Sequence, residues 1–102
     1  MKIKTIDVNA LEWFDKINGN SYFAGTVTIN FGMKSEKRFI MPFQYGYGEH
    51  YTTMAGKLLQ DKGIISTDDR KTLRQYCKEN DIILRTNKQT GCRKRELMNL
   101  NK

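Results

Sequence analysis

The residues of this chain that could do chemistry are mainly cations, and they are concentrated in its last third. Residues 1–69 hold equal numbers of basic and acidic side chains, so the whole formal charge of +7 belongs to residues 70–102. Clustered cations neutralise phosphates and release their counterions. The sequence therefore predicts contact with RNA, DNA or a nucleoprotein, the alternative being a solvated helix face and a disordered tail. The predicted contact residues are Arg70, Lys71, Arg74, Lys78, Arg85, Lys88, Arg93, Lys94 and Arg95.

Two tyrosines separated by one glycine form the second candidate. Tyr45 and Tyr47 stand in the sequence QYGYGEHY, between an expected strand and an expected helix. Aromatic rings in such a position can stack on unpaired bases. The glycines could also cradle a phosphate before a helix, but Glu49 in the first turn would repel it. The favoured alternative is a tight connector whose tyrosines cover the edge of the core.

Catalytic and metal chemistry find weaker support. Glu49 and His50 are adjacent, so on a helix their side chains point about 100° apart and do not converge on one proton. Cys77 and Cys92, with one histidine in the chain, cannot complete a tetrahedral zinc site and are expected to be reduced thiols. We therefore expect a non-enzymatic protein without a cofactor or metal. A small metal-dependent nuclease is the third hypothesis.

Length and hydropathy indicate one small domain. We expect a compact unit over residues 1–85, with residues 86–102 as its basic C-terminal extension. No apolar run approaches the ~20 residues of a membrane span, and the first residues do not resemble a signal peptide. The sequence thus predicts a cytoplasmic protein without membrane contact, and it allows homo-oligomerisation without indicating it.

The elements that must position these residues follow from periodicity. Alternating apolar residues predict a β-hairpin 22–31/37–45, with Pro42 placing its second strand at a sheet edge. Helical spacing predicts a helix over 49–60. Residues 10–17 are open between a short helix, started by a capping box at Asn9, and a strand leading into the Asn18-Gly19 turn. Two further elements are a second helix capped by Ser66 or Thr67, with Asp68 and Asp69 in its first turn, and a short buried strand at Ile82–Leu84.

These elements predict an α+β fold, in which a small antiparallel sheet carries two or three helices packed on one face. In the hairpin, Phe39, Met41, Phe43 and Tyr45 are expected on one face of the second strand.

Two segments carry a family resemblance. Glu12–Phe23 and Pro42–Tyr51 resemble an FDKxNGNSYF…PFxYGYGxxY pattern of small bacteriophage and mobile-element proteins. The resemblance implies a bacterial host cell and a binding role, including counter-defence inhibition of a host nuclease complex, as anti-CRISPR proteins do. It covers about the first 60 residues and implies no catalytic residues. The basic charge departs from nucleic-acid mimicry by acidic inhibitors. The rival hypothesis is a protein-interaction module anchored by Trp13, Tyr22, Tyr45 and Tyr47.

Overall fold

A four-stranded mixed sheet with strand order β3-β2-β1-β4 forms the centre of the computed structural model, which describes residues 2–66 and 71–101. Among these residues no helix is long and apolar enough to cross a membrane. The combination of this sheet with helices confirms the predicted α+β class. The elements are β1 (Thr5–Asp15), β2 (Asn20–Ile29), β3 (Lys37–Tyr45), α1 (His50–Asp61), α2 (Leu73–Glu79), β4 (Ile83–Gln89), α3 (Lys94–Met98) and a final 3-10 turn (Asn99–Asn101).

The expected hairpin is confirmed as β2 and β3, and β3 is an edge strand, as Pro42 predicted. The expected alternation along β3 is wrong at one point. Gly25 lies opposite Met41 but Phe23 lies opposite Gln44, so two residues of β3 form a bulge. The bulge turns Phe43 to the face of the sheet opposite to Met41.

Residues 10–15 are strand, so the helical alternative for this segment is wrong. β1 pairs with β2 without interruption from Ile6 opposite Ile29 to Asp15 opposite Asn20. The turn that follows is held by Asp15, whose carboxylate accepts hydrogen bonds from the Asn18 side chain at 2.8 Å and the Ile17 amide at 3.0 Å. These bonds, the one from Asn18 above all, lower the pKa of Asp15. Pairing with β2 thus overrides the capping-box signal at Asn9.

The fourth strand corrects two expectations. β4 pairs with β1 in parallel, so the sheet is mixed rather than antiparallel. The strand begins at Ile83 rather than Ile82, and Ile83 is 60% exposed, so Ile82–Leu84 is not a buried run. An edge strand has one neighbour and only part of its surface covered, which explains this exposure.

Helices cover both faces of the sheet, which corrects the expectation of helices on one face. One face of the sheet, which includes Ile6, Val8 and Val27, packs against α1 and α2, and we call it the helix face. The second face is covered at one end by α3, whose Leu97 is 1% exposed and packs against Ala24. Residues 94–98 are therefore an ordered part of the fold.

The second helix starts later than expected. α2 begins at Leu73, because Thr72 and Gln75 form a reciprocal capping box in which each side chain accepts from the other's backbone amide. Neither Ser66 nor Thr67 is its cap. Residues 67–70, which include Asp68 and Asp69, lie outside the described residues.

Both cysteines are free and buried, and one of them predicts a pH dependence. Burial raises the pKa of the Cys77 thiol to about 11, from an ordinary value of 9.0. The neutral thiol therefore contributes stability that is complete below pH 9 and lost as the pH rises to 11. Compared with Cys77→Ala, the native protein should lose about 2 kcal/mol of unfolding free energy across this range, measured by urea denaturation. Parallel pH profiles for the two proteins would contradict the prediction.

Candidate nucleic-acid interface

The predicted cations do not form one patch, because β4 directs two of them to opposite faces. Arg85 lies on the second face and forms two hydrogen bonds to Asp7, with its Nε at 2.6 Å from Oδ1 and its terminal nitrogen at 2.9 Å from Oδ2. Such a bidentate pair occupies the planar edge of the guanidinium that would bind a phosphate. Arg85 is therefore paired within the sheet.

Lys88 lies on the helix face and is also occupied. Its Nζ donates to Glu12 Oε2 and to the Gly48 carbonyl, both at 2.9 Å, and lies 5.7 Å from the centre of the Tyr51 ring. The side chain is only 19% exposed. Lys88 thus joins β4 to β1 and to the start of α1.

Two cations in and just before α2 also have acidic neighbours. Lys71 pairs with Glu79, and Arg74 lies 3.5 Å from Glu49 and 3.3 Å from the Thr86 hydroxyl. Lys78 is exposed in the last turn of α2. Arg70 lies outside the described residues.

The remaining predicted cations, Arg93, Lys94 and Arg95, are exposed at the start of α3. The preceding loop is fixed to the sheet, because the Cys92 amide donates to the Glu12 carbonyl at 3.0 Å. Lys94 Nζ lies 5.6 Å from the centre of the Trp13 ring, close enough for a cation–π contact. This is the place where the basic C-terminal third meets the aromatic residues of the sheet.

A row of stacked rings crosses the sheet at this end. Trp13 and Tyr22 stack with centroids 5.5 Å apart, and Tyr22 stacks on Phe43 at 5.1 Å. Tyr45 meets the edge of Tyr22 at 5.8 Å. The inner rings cover one another and lie partly under α3, so they are a scaffold rather than a free stacking surface. Sequence reasoning missed Phe43 because nothing in the local pattern marks the bulge that turns it to this face.

Three aromatic rings at the same end of the sheet remain exposed. Phe14 is 51%, Tyr45 56% and Tyr47 70% exposed, so the tyrosines do not cover the core edge as the connector interpretation expected. The ends of β1 and β3 and the start of β2 meet here, together with the loop before α3. We call this surface the aromatic end. It comprises Phe14, Lys16, Tyr45, Tyr47, Arg93 and Lys94.

The cations of the aromatic end are free for an anionic ligand. Among residues 2–66 and 71–101, no carboxylate lies within 4 Å of the side-chain nitrogens of Lys16, Arg93 or Lys94. Of the acids nearby, Glu12 pairs with Lys88, and Asp15 holds the turn, although the charge of Lys94 also contributes to lowering its pKa. A shallow cleft between the β1–β2 turn and residues 91–94 brings Phe14, Lys16, Arg93 and Lys94 together.

The two candidates for catalysis, Glu49 and His50, contact different neighbours. The His50 ring meets the edge of Phe23 at a centroid distance of 6.0 Å, and Glu49 accepts a hydrogen bond from the Thr52 hydroxyl at 3.3 Å. Over the part of the chain that the structure describes, no three His, Cys, Asp or Glu residues are grouped as metal ligands would be.

By its fold and this surface, the chain is a small α+β protein whose mixed sheet ends in exposed aromatic and cationic side chains. No protein-family model, curated protein or solved structure matches the chain.

Proposed function

We propose that the protein binds single-stranded nucleic acid at the aromatic end, without catalysing a reaction. The observation that carries the proposal is the position of two largely exposed tyrosines, Tyr45 and Tyr47, at the same end of the sheet as three unpaired cations. Stacking on aromatic side chains stabilises a bound single strand by about 1–3 kcal/mol per base. The cations Lys16, Arg93 and Lys94 supply charges for the phosphates.

The geometry favours a single strand over a duplex. A protruding ring can stack only on a base whose face is free, which is the case in single strands and loops. Duplex readers commonly insert a helix into the major groove. The two described helices richest in cations, α2 and α3, have only 7 and 5 residues, and Arg74 of α2 is paired with Glu49.

The test is a titration of labelled single strands, oligo-dT and oligo-U, followed by fluorescence anisotropy. Three phosphate contacts predict a slope of log K against log salt of about −2, so that affinity falls about 20-fold between 50 and 200 mM salt. A duplex of equal length should bind more weakly. Failure of both single strands to bind at low salt, or equal binding of the duplex, would contradict the proposal.

We further propose that this binding serves a phage or mobile-element accessory role, as an inhibitor that engages the RNA of a host nuclease complex. The support is that both segments of the family resemblance meet at the aromatic end. Glu12–Phe23 forms the β1–β2 turn, and Pro42–Tyr51 forms the end of β3 and the connection to α1. A cleavage assay tests this role. Adding the protein should slow target cleavage by an RNA-guided nuclease, and an unchanged cleavage rate would contradict the proposed role.

A protein partner is the second candidate, favoured by Ile17. This side chain is 93% exposed at the tip of the β1–β2 turn, beside the half-exposed Phe14. Neighbouring exposed apolar side chains can mark a protein-interaction site, and phenylalanine is enriched at such interfaces. If the oligonucleotide titration shows no binding, these two residues are the first to substitute in a search for a protein partner.

A further inference from the structure

The outer edge of β4 carries backbone groups without partners. The Ile83 amide donates to the Lys4 carbonyl at 3.0 Å, and β4 pairs with β1 from Ile83 to Gln89. In a parallel ladder, alternate residues direct their amide and carbonyl groups to opposite sides. Those of Leu84, Thr86 and Lys88 therefore point away from the sheet, and none of them meets a hydrogen-bond partner among the described residues.

This edge lacks the features that usually prevent strand pairing. The other edge, β3, has Pro42, a bulge and the exposed cations Lys37 and Arg38. β4 has seven residues with no proline, glycine or bulge. Its two cations do not guard the edge, because Asp7 and Glu12 hold them over the faces of the sheet.

We propose that a second copy of this chain pairs with β4 along this edge, antiparallel and related by a two-fold axis, so that the two sheets become continuous. Only outward-pointing residues can form hydrogen-bonded pairs across the axis. The register that uses all of them places Thr86 opposite the partner's Thr86 and Leu84 opposite the partner's Lys88.

In this register the side chains of β4 are compatible with those of a second β4 strand. Arg85 lies opposite the partner's Asn87, and Ile83 opposite the partner's Gln89, so no two like charges face each other. Threonine pairs across antiparallel strands are favourable. The positive charges of Arg85 and Lys88 are already offset within each copy by Asp7 and Glu12. Charge repulsion therefore does not prevent two β4 strands from pairing, despite the net charge of +7 on each chain.

Sedimentation equilibrium tests the dimer directly. The mass should rise from 11.9 kDa towards twice that value as the concentration is raised from about 10 µM to about 1 mM. Because the two copies carry like net charge, added salt should strengthen the dimer, the opposite of its effect on nucleic-acid binding. Dimerisation and the proposed function can therefore fail independently.

A proline at position 86 is the sharpest variant. Thr86→Pro removes an amide that points outward, so the ladder between β1 and β4 keeps its hydrogen bonds, and edge strands tolerate proline at such positions. It removes both bonds of the central pair and should raise the dimer dissociation constant at least about 30-fold. Thr86→Val keeps the amide and should dimerise as the native chain does. A native chain that stays monomeric, or a Thr86→Pro chain that dimerises normally, would overturn the proposal.

Amide hydrogen exchange of the native protein gives a second test that needs no variant. The inward amides of Ile83, Arg85 and Asn87 should be protected at every protein concentration. The amides of Leu84, Thr86 and Lys88 should gain protection only as the concentration rises. Rapid exchange of these three at all concentrations would rule out the pairing.

Discussion

Replacing Asn30 by alanine is expected to lower the free energy of unfolding by about 3–4 kcal/mol. The Asn30 side chain is fully buried, and its Oδ1 accepts from the Lys4 amide at 2.7 Å while its Nδ2 donates to the Lys2 carbonyl at 2.9 Å. Leaving such groups unpaired costs about 1–3 kcal/mol. Asn30 also has φ +53°, where alanine costs a further ~1–2 kcal/mol. These bonds fix the chain that leads into β1, the strand that pairs with both β2 and β4.

Glycine at the same position separates the two contributions. Asn30→Gly loses the same hydrogen bonds but accepts a positive φ, so it should recover about 1 kcal/mol relative to Asn30→Ala. Urea denaturation of the two variants and the native chain measures both differences. A loss below about 1 kcal/mol for Asn30→Ala would mean that water replaces the side chain at little cost.

The parts of the fold that sequence reasoning predicted are those that a local pattern determines. The β2–β3 hairpin follows from a period of two between Tyr22 and Ile29, and α1 follows from apolar residues at helical spacing. The length of β1 depends on pairing with β2 across the turn, as for Glu12 opposite Phe23. Pairing between strands therefore overrides the local capping-box signal at Asn9.

The candidate site shows the same limit more clearly. The excess charge of residues 70–102 predicted Arg85 and Lys88 as contact residues. Both pair instead with acids, Asp7 and Glu12, that lie 78 and 76 residues earlier in the chain. Charge that is separated along the sequence is therefore partly neutralised in space. What remains unpaired near the exposed tyrosines is a smaller set, and it includes Lys16, which lies outside the basic third.

The bulge in β3 explains why the aromatic end could not be assembled from periodicity. A strict period of two places Phe43 on the same face as Met41, in the main core. The extra residue moves Phe43 onto the second face, where it extends the stack of Trp13 and Tyr22. Tyr22 in turn contacts the exposed Tyr45. A single inserted residue in β3 thus moves Phe43 from the main core to the candidate site.

Substituting both Tyr45 and Tyr47 by alanine is expected to weaken the affinity for a single strand about 100-fold. Each exposed ring offers a stacking face worth about 1–3 kcal/mol per base, and every 1.4 kcal/mol is tenfold in affinity. The proposed phosphate contacts of Lys16, Arg93 and Lys94 are untouched. The slope of log K against log salt should therefore stay at its native value while the affinity falls.

Phe31→Ala is the matched control for this double variant. Phe31 is also a largely exposed ring, at 67%, but it follows β2 at the opposite end of the sheet. Its removal should change the affinity less than about twofold, because it lies far from the aromatic end. Anisotropy titrations of the variants, with thermal unfolding to confirm their folding, decide the result. Native affinity in the Tyr45, Tyr47 double variant, or an equal loss in Phe31→Ala, would show that these tyrosines do not bind the strand.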